Sequence, residues 1–324
     1  MSAAPKVLAI CGGVGGAKLA LGLDRVLPPG DLALLVNTGD DFVHLGLQIS
    51  PDLDTVMYTL AGVVSQAQGW GREGDTRRFL DEIVRCGGPG WFQIGDLDLA
   101  VHVERTRRLA AGESLTAVTA GLARAFGVRS LLLPMSDDPV RTLLDTVDEG
   151  VLEFQEYFVR RRCEPRVRAI RFSGAEAARP SATALALLDA PGLEAVLLCP
   201  SNPWLSVAPM LAMPALRQAL AVCRAPVVAV SPVVAGRAVK GPTAKLMQEL
   251  DLEVSAVTVA AHYAGLIDGY VLDRQDAALL PRIGLTAVAL PTVMRSLEDR
   301  DALARGVLAF ARGLSTGPRL RMVS

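Results

Sequence analysis

KVLAICGGVGGAKLALGL, residues Lys6–Leu23, is the stretch whose reading decides the fold. Val7 to Cys11 is an apolar run long enough for one buried strand. Four glycines follow within five residues (Gly12, Gly13, Gly15 and Gly16), and from Ala17 to Leu27 apolar residues recur at helical spacing. Strand, glycine turn and helix is the arrangement by which α/β proteins bring backbone N–H groups up to a phosphate. Glycine belongs there because a Cβ would obstruct both the backbone angles and the approach of a ligand. Two common fingerprints fit badly. In G-x-G-x-x-G counted from Gly13, Lys18 stands where the third glycine should be. In G-x-x-x-x-G-K-[ST], Lys18 is in register, but Ala17 replaces the glycine and Leu19 the metal-binding hydroxyl. The stretch reads as a phosphate cradle standard for neither NAD nor ATP; the competing reading is a tight turn with no ligand.

Outward from this stretch, strand and helix alternate. Further buried strands are expected at Leu32–Val36, Val128–Leu133, Ala195–Cys199, Pro226–Val230, Tyr270–Leu272 and Leu285–Leu290. Residues 69–127 read as mainly helical, with Asp75 capping Thr76–Cys86. Arg105, Arg107 and Arg108 read as a solvated face. Val140–Thr146, Val151–Val159 and Arg166–Phe172 read as a small antiparallel insertion. The expected fold is α/β: a Rossmann-like, doubly wound, mostly parallel sheet with a helical segment and an antiparallel β insertion. One domain is expected over residues 1–312, with a flexible tail at 313–324.

Composition excludes several classes. A net charge of −1 argues against an electrostatic nucleic-acid binder. Half the residues are hydrophobic (51%), yet no run approaches the ~18 apolar residues of a membrane span. The start, MSAAPKVLAI, carries no signal-peptide pattern. Five cysteines without C-x-x-C spacing read as reduced cytoplasmic thiols. Three dispersed histidines do not suggest a His-rich metal site.

The chemistry is expected in the loops after the strands, which an open parallel sheet gathers along one edge. Leu32–Val36 ends in Asn37-Thr38-Gly39-Asp40-Asp41, so Asn37 stands where a ribose-binding acid would sit in an NAD fold. Ser50-Pro51-Asp52-Leu53-Asp54 is a strong helix start, with Asp52 favoured by the helix dipole. If Asp40 and Asp54 both face the glycine turn, they form an oxygen-only site for Mg²⁺ beside a diphosphate; the alternative is two ordinary capping acids. Ser201 and Asn202 can give directional bonds to a base or ribose. The Ser231–Gly236 turn and Lys240-Gly241 can meet phosphate. Five such loops imply a large ligand or two ligands meeting. No Ser-His-Asp order or activated cysteine is evident, so positioning, phosphate neutralisation and metal fit best.

Taken together, GGVGGAK, VNTGDDF, ISPDLDTVMYTLAG, GDLDLA, LPMSDDPVRT, CPSNP and SPVVAG…KGP resemble the CofD family, the 2-phospho-L-lactate transferases of coenzyme F-420 biosynthesis. The resemblance runs in order from about Lys6 to Phe310. It implies a Rossmann-like, commonly dimeric, Mg²⁺-dependent enzyme. The implied donor is a guanosine diphosphate carrying a phosphorylated three-carbon acid (lactyl, enolpyruvyl or glyceryl), and the implied acceptor is the deazaflavin Fo. Functional coupling to the guanylyltransferase that makes the donor is implied as well. On this resemblance Gly12–Lys18 match the phosphate loop, with Asn37, Ser231, Lys240 and Gly241 on the nucleotide side. Ser201 and Asn202 match the SNP motif there. Asp40 and Asp54 match acids associated with metal and the reacting hydroxyl, Asp54 being a candidate proton acceptor. Asp54, Gln93 and Asp96 fall on the deazaflavin side. Gln93 stands where relatives commonly have Arg or Lys, and Leu97 and Val101 replace an arginine and a threonine. A non-catalytic nucleotide-sugar sensor, similar at the glycine turn and GDD, is the alternative; a nicotinamide oxidoreductase comes third.

Overall fold

The computed structural model describes residues 4–239 and 241–314. Val7–Cys11 (β1) and Leu32–Val36 (β2) are buried at every residue, as strands covered on both faces must be. Leu131–Pro134 (β3), Ala195–Leu198 (β4), Val227–Val230 (β5), Gly269–Asp273 (β6) and Thr286–Leu290 (β7) complete a seven-stranded sheet in the order β7-β6-β5-β4-β1-β2-β3. Every neighbouring pair is parallel. The chain winds outward from β1 to β3 on one side and from β4 to β7 on the other. The direction therefore reverses between β1 and β4, where an open α/β sheet leaves a crevice.

Alternate residues of β1 feed opposite faces: Leu8 and Ile10 enter one core, while Val7, Ala9 and Cys11 enter the other. Helix α1 (Gly13–Val26) follows β1 directly. Its glycines are thus the first turn of the helix, which starts four residues earlier than the apolar periodicity suggested. Helix α2 (Pro51–Leu60) lies beside α1, and the C-terminal helix Leu297–Gly313 covers α1 from the other side.

The helical segment holds α3 (Arg78–Arg85), α4 (Asp96–Ala110) and α5 (Leu115–Ala125). Asp75 serves α4 rather than α3: its carboxylate accepts from the N–H groups of Leu97 at 2.8 Å and Asp98 at 3.0 Å. The insertion is a three-stranded antiparallel sheet of Arg141–Thr146, Gly150–Glu153 and Val167–Ser173. The strand expected to run on to Val159 stops early, and Glu156–Arg160 forms a π-helical turn. Phe154, Gln155 and Tyr157 are all buried, a pattern that alternation along a strand cannot give. Among the described residues no single helix is long and apolar enough to cross a membrane. The expected tail lies outside the described residues from 315 onward.

Candidate active site

The glycine turn is built against helix α2. Gly13 N–H donates to Asp52 Oδ1 at 2.7 Å, and Asn37 Nδ2 donates to Asp52 Oδ2 at 3.0 Å. Asn37 Oδ1 in turn accepts from Gly39 N–H at 2.8 Å. Ser201, after β4, closes the other side: its Oγ accepts from Gly12 N–H at 3.0 Å and donates to Gly12 O at 2.9 Å. Gly12 is in extended backbone, so its need for glycine is space. A Cβ there would lie 2.5 Å from Asp52 Oδ2 and 2.8 Å from Ser206 Cβ. Gly13 has φ +64° and needs glycine for its backbone angle. Gly15 has no room either, with Pro200 O at 2.5 Å from its Cβ position.

Asp40 and Asp41 follow this network, both buried. Burial, reinforced by the charge of Asp52, pushes Asp40 well above the usual carboxylate range, against the opposing effect of Asn37. Burial pushes Asp41 up to about 8, although Ser50, Arg105 and Arg141 oppose it. Burial raises Asp52 to about 6. Asp40 Oδ1 and Asp41 Oδ1 are buried without a hydrogen-bond partner, and so is Asn202 Nδ2. Desolvated carboxylate oxygens that repel one another fit a hard divalent cation, whose charge would offset both costs.

Asp54 points elsewhere. Residues two apart on an α-helix are turned about 200° from each other, so Asp52 and Asp54 cannot both face the glycine turn. Asp52 faces it. Asp54 is gripped by Arg105 of α4, through Nη1 to Oδ2 at 3.1 Å and Nη2 to Oδ1. The expected grouping of Asp40 with Asp54 at the glycine turn is therefore replaced there by Asp40 with Asp52. The expected solvated face fails at Arg105, which is 2% exposed, although Arg107 on the same helix is exposed. His102 Nδ1 lies 3.6 Å from Asp54, and its Nε2 lies 3.3 Å from Asp98, which accepts from Tyr58 Oη at 2.6 Å. The missed signal was spacing: Asp98, His102 and Arg105 stand at i, i+4 and i+7, one face of a helix. Ser50, expected as the N-cap of α2, stands at that position but uses its side chain elsewhere. It does not cap α2 with its side chain; its hydroxyl donates to Asp41 Oδ2 at 2.6 Å.

The other sequence candidates divide. Gly16 packs against Cys11 and Ser201. Lys18 sends Nζ to Met294 O at 3.0 Å. Asn202 Oδ1 caps the turn Pro203–Val207, accepting from Trp204 N–H and Leu205 N–H. Ser231 Oγ is engaged with the backbone of Val233. Gly241 has φ +69°, and Lys240 lies outside the described residues. Asp96 ties the helical segment together, accepting from Phe79 N–H at 3.0 Å and from the Thr76 hydroxyl.

Gln93 lines a cavity of about 460 Å³, with Trp70, Trp91, Arg77, Arg160 and Arg162 on its walls. The cavity adjoins the acid cluster through two elements. Phe42, two residues after Asp40, packs on Trp91 and Phe92 with ring centroids 6.1 and 4.8 Å away. Gln155 Nε2 donates to Asp40 O at 3.4 Å, one turn before Arg160. Arg162 and the following Cys163 both have positive φ (50° and 58°), a strained turn at the cavity rim.

The chain is similar to known proteins over most of its length. The family described as 2-phospho-L-lactate transferase CofD matches residues 7–283. A phosphoenolpyruvate transferase of Streptomyces avermitilis is 40% identical over 320 residues, covering 96% of this chain and 99% of that protein. One of Streptomyces griseus is 38% identical, covering 94% and 98%. A 2-phospho-L-lactate transferase of Methanosarcina acetivorans is 37% identical over 307 residues, again covering 94% and 98%. The solved structure of a upf0052-family protein from Bacillus halodurans superposes with a TM-score of 0.61 over 95% of this chain and all of that one; at 12% identity it supports the fold alone. A family model that matches most of the chain, and relatives matched over nearly their whole length, place this chain in the CofD family of transferases.

Proposed function

We propose that the chain moves a phosphorylated three-carbon acid from a guanosine diphosphate-linked donor to the deazaflavin Fo, in coenzyme F-420 biosynthesis. The terminal ribityl hydroxyl of Fo attacks the phosphorus that bears the acid. The bond to the bridging oxygen breaks, GMP leaves with that oxygen, and the hydroxyl proton is lost. The observation that carries this reading is the pair Asp40 and Asp41, each with one buried carboxylate oxygen that has no hydrogen-bond partner, following the Asn37 network and linked through Phe42 and Gln155 to the elements around the 460 Å³ cavity. The family relationship supplies the reaction class.

In this reading Gly12 and Gly13, held by Ser201 and Asp52, orient the α1 N-terminus toward the diphosphate. Asn202 Nδ2 faces the nucleotide side. Trp91, Trp70 and Gln93 hold the deazaflavin ring, with Arg77, Arg160 and Arg162 around it. Asp40, with Asp41 beside it, would hold Mg²⁺, which when bound offsets charge on the phosphates and favours the hydroxyl as nucleophile. Asp54, engaged on both oxygens by Arg105, serves to hold α4 against α2 rather than to take the hydroxyl proton, which passes to solvent. Cys11, Cys86, Cys163 and Cys199 are thiols outside any disulfide, in keeping with a cytoplasmic reaction. A dimer and coupling to the donor-forming guanylyltransferase complete the reading.

The sensor alternative is not favoured, because the relatives matched over nearly the whole chain are transferases. GMP release that depends on Fo tests the reading; guanosine nucleotide binding without such release would leave the sensor in its place.

A further inference from the structure

Arg105 is among the largest fully buried side chains of the protein, and nothing in the transfer reaction requires a guanidinium at that depth. It belongs to α4, in the helical segment on the acceptor side, yet it reaches across to Asp54 on α2, the helix that carries Asp52 to the glycine turn. Nη1 also faces Gln48 O at 3.3 Å and His102 Nδ1 at 3.3 Å. Thr106 of the same helix accepts from Gln48 N–H at 2.8 Å, so α4 holds the entry to α2 at two successive residues. The void beside the pair, lined by Leu53, Met57, Thr119, Leu122 and Leu132, has no room for a water molecule. The pair is therefore dry as it stands. Asp52 and Asp54 occupy opposite sides of one helical turn. A rotation of α2 that relaxes the Asp54 contact moves Asp52 away from Gly13 and Asn37.

We infer that Arg105 is a positioning residue for the transfer: through Asp54 it fixes the rotation of α2 and so the geometry of the glycine turn and the acid cluster. The inference rests on the transferase reading above. A bidentate fork is what this requires, because two N–H···O contacts fix orientation where a single ammonium fixes only distance.

The experiment is a double-mutant cycle with Arg105→Lys, which keeps the charge but not the fork, and Asp54→Asn, which keeps the shape but not the charge. Circular dichroism and melting temperature are read first, then kcat and the KM for donor and acceptor. Arg105→Gln serves if the lysine variant does not fold. We expect each single variant to lower kcat roughly thirty- to a hundredfold and to raise the donor KM several-fold, because the glycine turn shifts with α2, with acceptor KM within about twofold. The double variant is expected to be no worse than the poorer single one, because Arg105 acts only through Asp54. A folded Arg105→Lys protein with wild-type kcat overturns the inference. So does a double variant whose loss equals the product of the two single losses. If the wild-type protein itself gives no product with any donor, the transferase reading fails and takes the inference with it; if the wild type is active and the cycle is additive, only the inference fails.

Discussion

Asp52 Oδ1 accepts the backbone N–H of Gly13 at 2.7 Å, so the carboxylate in the first turn of one helix holds the glycine opening of another. This makes Gly12, packed against the same carboxylate, a position without tolerance. Gly12→Ala places a methyl group 2.5 Å from Asp52 Oδ2. We expect a stability loss of about 1–3 kcal/mol from overpacking and guanosine nucleotide binding weakened at least tenfold, measured by thermal melting and by calorimetric titration.

Asp40→Asn should separate function from stability. The carboxylate is buried, its Oδ1 has no partner, and burial with the nearby charge of Asp52 already favours its neutral form. An amide of the same shape removes the cost of that raised acid, so above the ordinary aspartate range the metal-free variant should be more stable than the wild type, by a few degrees in Tm. Product formation should fall at least roughly a hundredfold, since the charge that serves the transition state is gone. A parallel loss of stability and activity would make Asp40 structural.

The pH dependence of stability follows from the raised acids. Asp52 lies at about 6 and Asp41 at about 8 in the folded protein, both above the ordinary aspartate range. Between pH 4 and 8 these acids bind more protons in the folded state than in the unfolded chain, so their contribution to stability falls as pH rises, opposed by His44 and His262, which burial shifts down. For Asp52 alone the change is on the order of 3 kcal/mol. Metal-free protein should thus melt higher near pH 5 than near pH 8, and millimolar Mg²⁺ should raise Tm more at pH 8 than at pH 5. A melting temperature that rises steadily from pH 5 to 8 without metal would contradict this.

The cavity assignment separates acceptor from donor. Arg162 lines the cavity from a strained turn, and Trp91 forms the opposite kind of wall, aromatic and packed on Phe92. Arg162→Ala should raise the KM for Fo about tenfold and leave the donor KM within about twofold. Tryptophan fluorescence quenched by Fo in the wild type should be diminished in Trp91→Phe. Equal effects on both substrates would remove the cavity from the acceptor site.

The sheet was legible because each of its strands is an apolar run closed by polar, Gly- or Pro-rich residues, a pattern that survives without knowledge of partners. The glycine turn was legible for the same local reason. What was not legible depended on contacts distant in sequence. Asp52 reads as a dipole-favoured acid until Gly13, 39 residues earlier, is seen to need it. Arg105 reads as solvated until Asp54, 51 residues earlier, is found opposite. The short stretch after Glu153 has apolar residues that suit a strand, but the adjacent burial of Phe154 and Gln155 turns it into a helix. Ser201 was singled out for the nucleotide, yet its hydroxyl is committed to both backbone groups of Gly12, a pairing across 189 residues.

The purified protein is incubated with Fo, Mg²⁺ and each of the three guanosine diphosphate-linked acids made in situ, and GMP and deazaflavin products are followed by mass. The account predicts one donor that yields GMP together with Fo enlarged by the phosphorylated acid, and no GMP when Fo is left out. Intact guanosine nucleotide binding with no deazaflavin product from any donor would contradict it.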